Sequence, residues 1–189
     1  MFEHVSIFFS IILGLGIVHL LGGVSLMLDA RVKNTSYWVH SLWIFNLLFL
    51  TSLVWIANFV LANADQLSIS HYFVLLAYSI TIYLMCGLLF PVHGEEVTDF
   101  IVHFNSNKVR FYAIGILFTI TDAIDGLLEA KAIGIELNPF QYGTLITYFI
   151  LFVIGIKFKS RWIDPTIAIV FFLGLLGFLS SILHIGSAT

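Results

Sequence analysis

Asp122, Asp125 and Glu129 stand in the run Phe111–Ala130, FYAIGILFTITDAIDGLLEA, which is otherwise apolar enough to cross a bilayer. On a helix, spacings of three and four place these acids within an arc of about 60°. Gly115, Thr119 and Gly126 share that side, while Ala113, Leu117, Ile120, Ile124, Leu127 and Leu128 make an opposite face that lipid accepts. An ionised carboxylate at bilayer depth costs roughly 2.5–3.5 kcal/mol on insertion scales. No Lys or Arg lies at that depth to neutralise the acids, so the counter-charge is a proton or a mobile cation. The pattern points to proton or cation handling, with Asp122 nearest the middle of the run and Asp125 and Glu129 continuing outward. Thr119, Asn46, Asn58, Tyr142, Thr147 and His184 are the polar side chains available to support them. The plainer alternative is that the acids hydrogen-bond to such neighbours and hold helices together.

His19 lies inside the first apolar run and is a candidate inner relay, because an intramembrane imidazole exchanges protons near neutral pH. A haem held by two histidines would need a partner at similar depth. His4, His71 and His184 map near one set of ends and His40, His93 and His103 near the other, so haem is disfavoured and no cofactor is assigned. A second constellation, His93, Glu96, Asp99 and His103, would project within about a 120° arc on a helix and offers weak ligands for a divalent metal. Its spacing matches no zinc signature, and a solvated face explains it as well. The single cysteine, Cys86, provides neither a disulfide framework nor a cysteine-rich metal site. No P-loop, dinucleotide fingerprint or nucleophile elbow occurs, so no catalytic residue is nominated and an enzyme is the less favoured class.

The elements that must position these groups follow from composition. Of 189 residues 60% are hydrophobic and 10% charged, and mean hydropathy is +1.04. A soluble domain carries about 25% charged residues, so the lipid bilayer is the expected solvent. A net charge of -3 with no basic run argues against nucleic acid as a partner. Six apolar runs can each span: Val5–Leu28, Trp38–Leu61, Tyr72–Pro91, Phe111–Leu128, Pro139–Ile156 and Pro165–His184. Asn138-Pro139 and Asp164-Pro165 read as N-caps followed by proline at the first helical position. Seven of the eight Lys and Arg residues fall in the loops after the first, third and fifth runs. By the positive-inside rule those loops are cytoplasmic and both termini are periplasmic. The loop Val92–Val109 reads as a short amphipathic helix on the membrane surface, with Val97, Phe100, Ile101 and Phe104 on one side. The expected fold is therefore all-α, a single domain over residues 1–189 with six transmembrane helices plus that interfacial helix. Small residues at Ser6, Ser10, Gly14 and Gly22 let another helix approach closely, within the bundle or from a second subunit.

The stretch SIILGLGIVHLLGG, Ser10–Gly23, with YWVHSLW, Tyr37–Trp43, resembles the N-terminal half of a family of small, uncharacterised bacterial membrane proteins. The resemblance implies a bacterial inner-membrane location and carries over no activity and no functional residue. Three functional classes remain. The leading one is a small channel or secondary transporter for protons or cations. The others are a non-catalytic sensor, scaffold or subunit of a membrane complex, and an intramembrane cofactor- or metal-binding enzyme. A homo-oligomer or membership of a larger complex fits the small interior that six helices enclose.

Overall fold

The computed structural model describes residues 2–29, 37–58, 68–91, 99–134, 139–158 and 160–186. They form α1 (Phe2–Leu28), α2 (Trp38–Asn58), α3 (Ile69–Leu89), α4 (Phe100–Ile133), α5 (Pro139–Lys157) and α6 (Ile163–Gly186). All six are long and apolar enough to cross a membrane, and no strand occurs among the described residues. Neighbouring helices follow one another around the bundle as α1, α3, α4, α5, α6, α2 and back to α1, and α2 also touches α3 and α4. Its span is accordingly 56% buried, against 22% to 44% for the others. One end of the bundle, the basic end, carries Lys108, Arg110, Lys157 and Arg161.

Local chemistry sets several boundaries. Ser68 caps α3 by accepting from the backbone N–H of His71 at 3.2 Å. Asp99 caps α4 through one oxygen, which accepts from the N–H of Ile101 at 2.9 Å and of Val102 at 3.1 Å. At the other end of α4, Gly134 takes φ 72°, a left-handed conformation suited to glycine, and its N–H donates to the Ala130 carbonyl at 2.9 Å. α6 begins at Ile163, so Asp164 lies inside its first turn rather than before it.

The surface helix expected over Val92–Val109 is replaced, where the residues are described, by an extension of α4. Residues 100–109 are its first turns, and residues 92–98 lie outside the described set. With 34 residues α4 is about 51 Å long at 1.5 Å per residue, well beyond a hydrocarbon core of about 30 Å. The extension does not float. Phe100 and Phe104 are buried at 3% and 2% exposure. His40 stacks on Phe100 with ring centroids 5.0 Å apart, and Tyr37 meets Phe104 at 5.8 Å.

The core is aromatic. Trp43 of α2 is fully buried and meets Phe111 at 4.8 Å and Phe171 at 5.1 Å, which joins α2, α4 and α6. Tyr148 of α5 stacks on Phe171 at 4.6 Å and donates its hydroxyl to the Phe171 carbonyl at 2.7 Å. Gly174 lies one turn further along α6, where an added Cβ would collide with the Tyr148 hydroxyl. On α1, Ser10 accepts from Trp55 Nε1 at 3.2 Å, Gly16 faces Cys86 and Gly23 faces the Phe90 ring, whereas a Cβ at Gly14 or Gly22 would meet nothing within 4 Å.

Candidate functional site

α3 and α4 pack side by side and run antiparallel, so the start of α3 lies beside the closing turns of α4. That arrangement brings His71, fixed in the first capped turn of α3, against Asp125. Its Nε2 is 3.0 Å from the Asp125 carboxylate, and the two residues are 2% and 8% exposed. Asp125 sits about 12 Å along α4 from Ile133, at the end of the bundle opposite the basic one. Asp122 lies one turn deeper and Glu129 one turn outward, both half-buried. The acids share one face of α4 and lie within electrostatic reach of one another, and Glu129 also feels His71.

Aromatic hydroxyls surround this face. Tyr78 of α3 is buried, stacks on Phe118 at 5.6 Å and feels the charge of all the acids. Tyr142 of α5 donates to the Ala123 carbonyl at 3.3 Å. It comes that close because position 126 is glycine: a Cβ there would stand 3.2 Å from the Tyr142 hydroxyl and 3.4 Å from the Gln141 amide nitrogen. The result is a polar patch in an apolar wall, with an imidazole in direct contact with one of several clustered carboxylates. Among the described residues His71 is the side chain able to carry a positive charge that lies within ion-pair distance of these acids. Three negative charges against at most one positive charge would be costly at low dielectric, so the cluster has reason to take up protons or a cation.

The other expected partners lie elsewhere. Thr119 is buried and donates to the Ile116 carbonyl of its own helix at 2.7 Å. Thr147 likewise donates to Gly143 at 2.8 Å. Asn46 is fully buried but reaches the Ala168 carbonyl at 2.9 Å, tying α2 to α6. Asn58 and His184 lie in helices, with side chains outside the described set. His19 approaches the Phe90 carbonyl at 3.3 Å near the basic end, about 28 Å along α3 from His71, and does not join the carboxylates. His40 makes a similar contact with the Leu89 carbonyl at 2.7 Å, so two imidazoles clasp the last carbonyls of α3 just before Pro91.

Of the weak metal set, His93 and Glu96 lie outside the described residues and Asp99 is engaged as the cap of α4. No three His, Cys, Asp or Glu side chains converge as a metal site among the described residues. The residue that spacing did not bring to the site is His71. Its signal was available only as depth, a histidine at the same end of one run as a buried acid in the next.

At the basic end a second buried carboxylate is also satisfied. Asp164 accepts from Lys108 Nζ at 3.0 Å and from the Tyr112 hydroxyl at 2.9 Å. Burial, with a lesser contribution from the charge of Asp164, pushes the Tyr37 phenol above its ordinary value of 10.0. No protein-family model, curated protein sequence or solved structure matches this chain.

Proposed function

We propose that this chain is a multi-pass protein of the bacterial inner membrane that conducts or transports protons or small cations through the acid face of α4. The observation that carries the reading is the buried Asp125–His71 contact flanked by Asp122 and Glu129. A packing role alone would be served by neutral polar side chains at lower desolvation cost. A cluster of titratable groups with one imidazole partner accepts and releases a proton, or holds a partly dehydrated cation between carboxylate and phenol oxygens. The positive-inside rule assigns the basic end to the cytoplasm, so the acids open toward the periplasmic side, where both termini lie. His19, on α1 beside the basic end of α3, belongs to the inner half of such a route. The unfilled small-residue positions Gly14 and Gly22 on α1 favour association of copies of the chain.

The test is ion flux in sealed proteoliposomes under imposed proton and monovalent-cation gradients, comparing the parent with Asp122→Asn and Asp125→Asn. Flux above that of empty vesicles, lost in variants that still unfold cooperatively, supports the reading. Parent vesicles as tight as empty ones under every gradient refute it and direct attention to a role as subunit of a larger complex.

A further inference from the structure

The basic end holds a cleft of about 540 Å³ between the start of α2, the early turns of α4 and the connection from α5 to α6. We infer that this cleft binds a phosphate group, in its natural setting the phosphodiester of an anionic phospholipid. Its walls carry opposed cations. Lys108 enters from α4 with its side chain 12% exposed and is held in place by Asp164 at 3.0 Å. Arg161 enters from the α5–α6 connection, is exposed, and has its guanidinium carbon 5.1 Å from the centre of the Trp162 ring. Asn105 and Ser160 also line the cleft and supply an amide and a hydroxyl as neutral donors.

Charge and position both favour an anion. Asp164 neutralises one of the two cations, which leaves a net positive cleft. The carboxylate also occupies the first turn of α6, where its charge answers the positive end of that helix. The start of α2 is different. Trp38 and Val39 line the cleft, and the first turn of α2 holds no acidic residue, so its N-terminal dipole adds positive potential that nothing in that turn cancels.

The rim favours a lipid over a free ion. Trp38, Phe158 and Trp162 are 55%, 59% and 66% exposed at this end of the bundle, as suits rings that lie along glycerol and upper acyl chain. Basic pockets between membrane helices are the recognised means of holding anionic headgroups. Lys108 anchored by Asp164 provides a fixed point of charge, and exposed Arg161 provides the second, planar donor. The site is separate from the acid face of α4, which lies at the other end of the bundle.

The experiment uses the detergent-purified full chain. Native mass spectrometry reads bound lipid as phosphatidylglycerol or phosphatidylcholine is titrated in, and thermal unfolding is followed with inorganic phosphate as the soluble probe. The parent is expected to bind phosphatidylglycerol at least about fivefold more tightly than phosphatidylcholine, and Arg161→Gln to lose about that factor. Arg161 is exposed, so this variant should unfold at the parental temperature, and Ser160→Ala serves as a second, milder probe of the same wall. Stabilisation by phosphatidylglycerol and not by inorganic phosphate identifies the lipid as the source. Stabilisation by inorganic phosphate, weakened in Arg161→Gln, supports the phosphate site but assigns it to a soluble ligand. Equal affinity for the two lipids with no response to phosphate, or unchanged binding in Arg161→Gln, overturns the inference.

Discussion

Breaking the Asp125–His71 contact is the perturbation with the clearest expected size. The two groups stand 3.0 Å apart with almost no solvent access. At an effective dielectric of 20 a charged pair at that distance attracts by about 5 kcal/mol, and desolvation of both ions removes most of this. Asp125→Asn keeps a hydrogen-bond acceptor beside His71 while removing the charge, and is expected to destabilise by about 1–2 kcal/mol. Asp125→Leu leaves the imidazole buried without its partner and should cost more, about 3 kcal/mol. Each single variant mixes the pair with packing changes, so the decisive quantity comes from the cycle of Asp125→Asn, His71→Gln and the double variant. The assay is reversible unfolding in mixed detergent micelles, followed by circular dichroism. Residues in direct contact couple by about 0.5–3 kcal/mol, and a buried charged pair belongs in the upper half of that range. A coupling below about 0.5 kcal/mol would mean that the contact contributes no specific interaction. The electrostatic account of the site would then fail, whatever the flux measurements gave.

Other perturbations test other parts of the bundle. Gly174→Ala should displace the Tyr148 ring and break its 2.7 Å bond to Phe171, costing about 2 kcal/mol, and Gly174→Ala/Tyr148→Phe should recover part of that loss in the same unfolding assay. Asn46→Leu removes one interhelical hydrogen bond but also an amide oxygen with no partner among the described residues, so a net loss under about 1 kcal/mol is expected from thermal unfolding. Lys108→Met leaves Asp164 buried with one remaining donor and should cost about 3 kcal/mol, largely restored by Lys108→Met/Asp164→Asn. The raised Tyr37 phenol carries a pH signature. As pH climbs past 10.0 the unfolded chain loses that proton first, so Tyr37 makes stability fall with pH there. Tyr37→Phe should make the alkaline decline shallower in denaturation midpoints taken across that range.

Each helix long and apolar enough to span was legible from its run of apolar residues, since length and hydropathy are properties of the segment alone. The extension of α4 was not. Lys108 and Arg110 mark a boundary with water, yet a helix continues past such a boundary when its outer turns find packing, as Phe100 and Phe104 do against His40 and Tyr37. The shared face of Asp122, Asp125 and Glu129 was likewise written in spacing, because it depends on one helix only. Their surroundings were not, because these depend on which helices become neighbours and at what axial offset. His71 reaches Asp125 through the antiparallel packing of α3 and α4, whereas Asn46, equally polar, faces α6. Thr119 illustrates a different limit, since a helical threonine satisfies its hydroxyl on its own preceding turn before it seeks a neighbour.

The central position of α2 has a consequence for biogenesis. This helix is made before α6, yet the carbonyl that accepts from the Asn46 amide belongs to Ala168, 122 residues later in the chain. Until α6 is inserted, that amide must find a temporary partner, because an unsatisfied amide in hydrocarbon costs several kcal/mol. α2 is thus poorly suited to rest alone in lipid, and the insertion machinery has cause to retain it until α6 arrives. A nascent chain stalled before α6 should crosslink to the translocon through α2 and be released when synthesis resumes.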